Sequence, residues 1–142
     1  MRRARRAVVP VAVAVILDAD GLTKLARRDR RVREMVRQEV VERGGVLVVP
    51  PVVVVQALAE GVSTAAIDEI LAGTLAEVLD HRRVSLAAKL IRATARTDVV
   101  DALVAAEALL RAPSIVISSD SLDIRALLDS DERGQRVEVW AI

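Results

Sequence analysis

Short runs of continuous apolar, mostly β-branched residues, separated by segments with helical spacing, constrain this chain more than any other feature. The runs lie at residues 11–17, 46–49 and 115–118, and residues 136–142, RVEVWAI, are predicted to form a last strand. Strands that are apolar along their length, rather than alternating, are typical of parallel sheets covered on both faces. Helices are the usual connections between such strands. The sequence therefore predicts an α/β fold, a single domain with a central parallel β-sheet and helices on both faces.

The length of the chain indicates one domain preceded by a short arm. With 142 residues, it can build one substantial core but not two. Residues 1–10, which begin MRRARR, are predicted to be a flexible basic N-terminal arm, and 11–142 to be the folded domain. The start resembles a secretory signal, but Pro10 interrupts the apolar run and acids stand where cleavage would occur. The run is also too short to span a bilayer, so we expect a cytoplasmic protein that does not bind a membrane.

The segments between the strands predict helices and their ends. Residues 21–45 are predicted to form one helix that stops at Gly44 and Gly45. Residues 76–80 are a candidate for one further strand. Five more helices are predicted, from Pro51, from a cap at Thr64, over about residues 85–95, from a cap at Thr97, and over residues 121–128.

The residue types exclude several kinds of chemistry. Without cysteine, the chain cannot form a disulfide, a zinc–thiolate site or a thiol nucleophile. A single histidine, His81, argues against a histidine metal site or a Ser-His-Asp triad. The glycines form no phosphate-binding loop. With one aromatic residue, Trp140, the chain also lacks the stacking platforms of many single-strand binders. Catalysis would therefore depend on carboxylates.

Aspartates follow two of the predicted strands at the point where each strand ends. Asp18 and Asp20 come after the first strand, and Asp120 and Asp123 come after a later one. The carboxyl ends of parallel strands lie on one edge of a sheet, and ligands bind there, where the strand order reverses. We therefore expect these four acids at the same edge.

A third pair of aspartates, Asp98 and Asp101, begins a predicted helix and lies on one side of it, because the two are three residues apart. Any one of these aspartates is readily explained as a helix cap or a turn residue. As a set they repel one another strongly unless a cation lies between them. Oxygen ligands without histidine or cysteine suit Mg²⁺ or Mn²⁺. The sequence thus predicts a site for a divalent cation.

Two other doubly wound folds also place acids at strand ends. A phospho-acceptor receiver domain would need a lysine after a late strand, whereas Lys89 lies in a predicted helix. A phosphatase related to the haloacid dehalogenases would carry a D-x-D motif, which DADGLT at 18–23 matches in part. The phosphatase therefore stays open as an alternative.

Five segments, taken in order, resemble a known family. They are ILDADGLTKL, VVPPVVVVQALAEG, TDVVDALVAAEALL, IVISSDSLDIRAL and RVEVWAI. Their order and spacing resemble those of the PIN-domain ribonucleases, especially the VapC-type toxins of bacterial toxin–antitoxin pairs, from about residue 13 to the C-terminus. The resemblance implies a PIN-like domain and a metal-dependent endoribonuclease, a hydrolase that cuts RNA phosphodiester bonds with bound Mg²⁺ or Mn²⁺.

The resemblance also implies roles for individual residues. The family's acid at the end of strand one corresponds to Asp18, its helix-borne acid to Asp101, and its acid after a later strand to Asp120. These three are the candidate catalytic and metal-binding residues. Three neighbours are candidates for the outer coordination shell or a second ion: Asp20, Asp98 and Asp123.

One position departs from the family's pattern. The acid usually found in the helix after strand two falls on Gln56. An amide oxygen can ligate Mg²⁺ but brings no charge, so we expect weaker divalent binding if Gln56 takes that place. Glu60, four residues later on the same helical face, can compensate, and Asp98 or Asp20 can restore the missing charge from another side.

The same resemblance implies partners: an RNA substrate, a cognate antitoxin whose tail enters the acidic pocket, and a second copy of the chain in a homodimer. Arginines flanking the cleft are candidates to hold the RNA backbone, although a solvated helix face is the better explanation for most of them. The candidates are Arg27, Arg28, Arg30 and Arg31. The main alternative from another class is a non-catalytic PIN-like module that binds RNA or a protein without cutting.

Overall fold

A four-stranded parallel sheet forms the centre of the computed structural model, which describes residues 12–74 and 79–142. Its strands are β1 (Ala14–Leu17), β2 (Val46–Val48), β3 (Ser114–Ser118) and β4 (Val137–Ala141). Their order is β2-β1-β3-β4, and each neighbouring pair is parallel. Every residue of β1 and β3 is buried, so both faces of the central strands are covered. The predicted α/β fold with a parallel sheet is confirmed.

Seven α-helices accompany the sheet in the described part of the chain. They are α1 (Ala19–Ala26), α2 (Arg30–Val36), α3 (Pro51–Ala59), α4 (Thr64–Leu71), α5 (His81–Thr94), α6 (Val99–Leu110) and α7 (Ser121–Asp129). A π-helical segment, Arg37–Glu42, continues α2, and a 3₁₀ helix, Glu132–Arg136, leads into β4. None of the described helices has the length and apolar character needed to cross a membrane.

Helix α6 is the most deeply buried helix of the fold. It packs against α5 and α7 and contacts β1 and β3. Nine of its twelve residues are buried, and two of these are acids, Asp101 and Glu107. Aliphatic and alanine side chains fill the surrounding core, since the chain has no phenylalanine or tyrosine. A helix in this position holds its polar side chains in fixed places.

The single helix predicted over residues 21–45 is wrong, because the structure breaks it after Ala26. Arg28 adopts a φ of 61°, a left-handed conformation that interrupts a helix. The Asp29 side chain then accepts a hydrogen bond from the Val32 N–H (3.0 Å) and caps α2. The capping residue Asp29 therefore starts a new helix, although the apolar periodicity continues through this segment.

Two predicted helix caps are wrong by one residue. Ser63, and not Thr64, accepts the capping hydrogen bond of α4. Asp98, and not Thr97, accepts the capping hydrogen bond of α6. In each case the neighbouring residue, Ser63 before Thr64 and Asp98 after Thr97, has the side chain and the non-helical backbone that a cap requires.

Other predicted boundaries shift or fall outside the described residues. The first strand begins at Ala14, and α5 begins at His81 because Asp80 caps it there. The candidate strand at 76–80 overlaps residues 75–78, which lie outside the described residues. The predicted basic arm, residues 1–10, also lies outside them.

The strand order reverses between β1 and β3, since β2 lies on one side of β1 and β3 on the other. In open parallel sheets, ligand sites lie beyond the carboxyl ends of the strands at this point. Asp18 directly follows β1, and Asp120 lies two residues beyond β3. The topology therefore brings two of the predicted site residues to the edge where a ligand site is expected.

Candidate functional site

Asp18 is a buried carboxylate held in one orientation by three hydrogen bonds. Its Oδ1 accepts from the Gly21 N–H (2.7 Å), and its Oδ2 accepts from the Ser118 hydroxyl (2.6 Å) and the Ser119 N–H (3.2 Å). Burial raises the pKa of Asp18, while the bonds from Ser118 and Gly21 oppose that rise. Asp18 thus joins the end of β1, the start of α1 and the end of β3.

Gly21 allows α1 to lie this close to β3. A Cβ at position 21 would lie 3.0 Å from the Ile117 carbonyl oxygen and 3.3 Å from Asp18 Oδ1. Both contacts are tighter than most side chains tolerate, and the first is to backbone. A side chain here would push the first turn of α1 away from the strand end and disturb the bonds of Asp18.

Asp101 is buried in the first turn of α6, with only 5% of its surface exposed. None of the described residues donates a hydrogen bond to its carboxylate. Burial raises the pKa of Asp101 to about 7, and the charges of other aspartates add to the rise. Those neighbours are Asp98, Asp120, Asp18 and Asp123. A buried acid with a strongly raised pKa and no partner is typical of a functional position.

Asp120 is exposed beyond the end of β3. Desolvation raises its pKa first, followed by the charges of Asp20, Asp123 and Asp98. These mutual effects place six side chains in one electrostatic neighbourhood, which we call the aspartate group: Asp18, Asp20, Asp98, Asp101, Asp120 and Asp123. The sequence predicted all six members.

The outer members of the aspartate group have partners in the protein. The Asp98 carboxylate accepts the Asp101 N–H (2.9 Å) as the cap of α6. Asp20 accepts a hydrogen bond from the Ser119 hydroxyl, and Asp123 forms a salt bridge with Arg96. Asp98 and Asp123 therefore contribute negative charge around Asp101, and Asp20 contributes it around Asp18 and Asp120, while all three are held by other contacts.

A cleft of about 370 Å³ opens beside Asp101 between the end of α5, the start of α6 and α7. The following residues line it: Thr94, Ala95, Arg96, Thr97, Asp98, Asp101, Asp123 and Leu127. We call this the aspartate cleft. It gives a ligand from solvent access to the buried carboxylate.

The aspartate group fits a divalent cation in donor type, since carboxylate oxygens are the ligands that Mg²⁺ and Mn²⁺ prefer. Within residues 12–74 and 79–142, no three His, Cys, Asp or Glu side chains lie close enough together to hold one ion. Mg²⁺ often needs only one or two protein carboxylates, with water and substrate phosphates completing its shell. The arrangement fits that mode of binding and does not form a full protein cage.

Gln56 does not interact with the aspartate group. It is half-buried on α3, and its Nε2 donates to Oε1 of Glu60 (3.2 Å) on the same helix. Glu60 is exposed and engaged in this bond. That Gln56 takes the place of the family's acid stays a prediction.

The four candidate RNA-binding arginines are all exposed, around the break between α1 and α2. Arg31 Nη2 donates to the Ala141 carbonyl oxygen (3.2 Å) at the carboxyl end of β4, the neighbour of β3. Arg28 instead lines a separate cleft with Leu25 and Leu47. No such contact ties Arg27 or Arg30 to the sheet edge, so Arg31 is the one that the structure fixes there.

Three residues of the site were missed from sequence: Ser118, Ser119 and Arg96. The two serines bind Asp18 and Asp20 from the end of a different strand. The SSD sequence at the end of β3 marks small hydroxyl residues at the sheet edge, but it does not indicate that their partners lie after β1. Arg96 lies two residues before Asp98, and it is the cation nearest in sequence to the acidic start of α6.

No protein-family model matches this chain, and no curated protein matches it in sequence. A function therefore has to be inferred from the geometry and charge of the aspartate group.

Proposed function

We propose that this protein is a metal-dependent endoribonuclease of the PIN type, a VapC-like toxin that hydrolyses RNA phosphodiester bonds. The observation that carries the proposal is Asp101, a carboxylate 5% exposed that accepts no hydrogen bond from the described residues. Other aspartates surround it, and the aspartate cleft opens beside it. Buried acids are ordinarily paired or coordinate a metal, so an unpaired one among like charges favours cation binding.

Asp18, Asp101 and Asp120 are the proposed metal-binding and catalytic residues, with Asp20, Asp98 and Asp123 around them. A Mg²⁺ or Mn²⁺ ion held by one or two of these carboxylates, with water and substrate phosphates completing its shell, would polarise the phosphodiester and lower the pKa of a bound water. The hydrogen bonds from Gly21 and Ser118 hold Asp18 in its orientation before any ligand arrives. Such supporting contacts often change metal affinity by about 10- to 100-fold when removed.

Asp101 has the second task of exchanging a proton. Since burial and neighbouring charges raise its pKa to about 7, its carboxyl group is about half protonated at neutral pH. A cation binds the deprotonated form, so binding releases this proton. Divalent affinity should therefore rise as the pH increases through 7.

Substrate and partners follow from the same proposal. Arg31, at the sheet edge, would hold an RNA phosphate, with Arg27, Arg28 and Arg30 extending the basic surface. A cytoplasmic toxin of this type would form a homodimer and bind a cognate antitoxin. Val55 and Leu58 on α3 are exposed apolar side chains available to such a partner.

A non-catalytic PIN-like module is the second candidate. Two observations favour it. No three acids of the described chain lie close enough together to hold one ion, and Gln56 is bound to Glu60. A haloacid-dehalogenase-like phosphatase has less support. Its nucleophile would be Asp18, but that carboxylate is 3% exposed and both of its oxygens accept hydrogen bonds.

The deciding experiment is cleavage of a labelled single-stranded RNA by the purified full-length chain with Mg²⁺, Mn²⁺ or EDTA. We expect cleavage only with a divalent ion, and a loss of about 100-fold or more in Asp101→Asn. The matched control is Asp68→Asn, which removes an exposed aspartate on α4 and should cleave normally. Cleavage that persists in EDTA contradicts the proposal, and RNA binding without cleavage under every metal supports the module.

A further inference from the structure

We propose that Arg96 is the phosphate-binding residue of the aspartate cleft, and that its salt bridge to Asp123 is the resting position from which it moves onto RNA. The inference rests on the proposed function, because it names a residue that would hold the substrate at the same site. It assigns a role to the one cation among the described residues that line the cleft.

Arg96 lines the aspartate cleft together with Asp123, to which it is bound. Its Nη1 binds Oδ1 of Asp123, joining the loop after α5 to the first turn of α7. Asp98 and the buried, unpartnered Asp101 line the same cleft. Among the described residues of this lining, Arg96 is the only one with a positive charge. The charged groups that a phosphate would meet in this described lining are three repelling acids and one attracting guanidinium, that of Arg96.

The backbone before Arg96 has an unusual conformation and lines the same cleft. Ala95 ends α5 with a φ of 55°, a left-handed conformation that is unfavourable for a residue with a Cβ. The Arg96 N–H then donates to the Thr94 hydroxyl (3.2 Å), which fixes the turn. Strained conformations of this kind persist where the surrounding structure requires them, and they cluster at functional sites.

The salt bridge is weak enough to exchange. The side chains of Arg96 and Asp123 are 45% and 49% exposed, and exposed ion pairs contribute little because water competes for both charges. A phosphate accepts two parallel hydrogen bonds from a guanidinium and is a stronger partner when the pair is shielded from water. When Arg96 moves to the phosphate, Asp123 becomes available to a cation.

Two changes of opposite sign distinguish this role from a structural one. In Arg96→Ala, the cation that competes for Asp123 is gone, so Mn²⁺ affinity without RNA should rise about 2- to 5-fold. Loss of a phosphate contact should weaken RNA binding. The negative slope of log affinity against log salt should become shallower by about 0.7, as expected for the loss of one contact on a single strand. Arg96→Lys keeps the charge and should restore the slope.

The experiment uses the full-length chain, calorimetry with Mn²⁺ alone, and fluorescence anisotropy of a labelled single-stranded RNA in EDTA at several salt concentrations. Arg92→Ala is the matched control, since it removes an exposed arginine from the last turn of α5 and should change neither titration. If Arg96→Ala behaves like Arg92→Ala while the wild type binds Mn²⁺ and cleaves RNA, the inference is overturned and the proposed function stands. If the wild type binds no Mn²⁺, the proposed function fails, and the salt slope alone decides whether Arg96 binds phosphate.

Discussion

Helix α6 carries two buried acids with opposite electrostatic surroundings. Glu107 is 2% exposed and Asp101 is 5% exposed. Burial alone would raise the pKa of Glu107, but hydrogen bonds from Arg83 and Arg111 outweigh it and lower that pKa. Asp101 has no such partner, so burial and the surrounding acids raise its pKa to about 7. The two acids, on one helix, differ in whether the fold supplies a countercharge.

This difference separates an acid that stabilises the fold from one that serves a ligand. Glu39, also buried, is bound by Arg43 Nη1 at 2.8 Å. Asp18, the remaining buried acid of the described chain, accepts three hydrogen bonds. Asp101 is the exception in a protein that otherwise satisfies its buried acids. A position that costs stability and lines a cleft is expected to be used for binding.

The largest effect on stability is expected at Glu107. Glu107→Gln removes the buried charge that Arg83 and Arg111 bind, which should lower the free energy of unfolding by about 3 kcal/mol. Urea unfolding at pH 7 measures the loss, with the exposed Glu69→Gln as its control. Mn²⁺ affinity should not change. If Glu107→Gln and Glu69→Gln lower the free energy of unfolding equally, Glu107 does not stabilise the fold, and the distinction between the two acids of α6 is lost.

The pH dependence of Glu107 provides a further check. Because the pKa of Glu107 is lowered in the folded state, its contribution is present above the unfolded pKa and is lost as the pH falls through the folded pKa. In Glu107→Gln this acid-dependent part should be missing. Unfolding between pH 2.5 and 5 would show a flatter profile for the variant, and parallel profiles would contradict the prediction.

Ser118→Ala tests the support of Asp18 and should have an intermediate effect. The substitution removes the 2.6 Å hydrogen bond to Asp18 Oδ2, at a cost of about 1–2 kcal/mol. It should also weaken Mn²⁺ binding by about 10-fold, since the carboxylate is less well oriented. Calorimetry and urea unfolding measure the two effects. Ser114→Ala, which removes a buried hydroxyl bond at the other end of β3, should lower stability without changing metal affinity.

The smallest effect is expected from Gln56→Glu. If position 56 takes part in binding, the added charge should tighten Mn²⁺ binding and speed cleavage at limiting metal. If position 56 stays with Glu60, the new acid lies four residues from another acid on the same helix and costs about 0.3 kcal/mol. A metal titration identical to that of the wild type would remove Gln56 from the site.

Local patterns predicted most of the fold and all of the aspartate group. Continuous apolar runs identified β1 and β3, and strand-end aspartates identified Asp18 and Asp120. The contacts that organise these acids could not be predicted in the same way. Ser118 and Asp18 are 100 residues apart in sequence, and Arg96 and Asp123 are 27 residues apart. No local pattern encodes such pairs, because they depend on which strands become neighbours.

The balance of charge around Asp101 was equally beyond prediction from sequence. Asp101 and Glu107 both follow apolar residues on one helix, and the one local sign of a difference is Arg111, four residues after Glu107. The second partner, Arg83, comes from α5, 24 residues earlier. The packing of α5 against α6 brings Arg83 to Glu107, and that contact could not be predicted from the sequence around either acid.

The most direct test of this account is the free energy of unfolding of the wild type relative to Asp101→Asn, measured from pH 4.5 to 8.5 with and without Mn²⁺. The folded protein keeps a proton on Asp101 up to about pH 7, whereas the unfolded chain loses it near the ordinary value of 3.8. The folded state thus binds more protons in this range, and the wild type should lose stability relative to the variant as the pH rises, by at most about 1.4 kcal/mol per pH unit, and level off above 7. Saturating Mn²⁺ should restore stability to the wild type alone. Parallel curves, unaffected by Mn²⁺, would show that Asp101 is neither uncompensated nor a cation ligand.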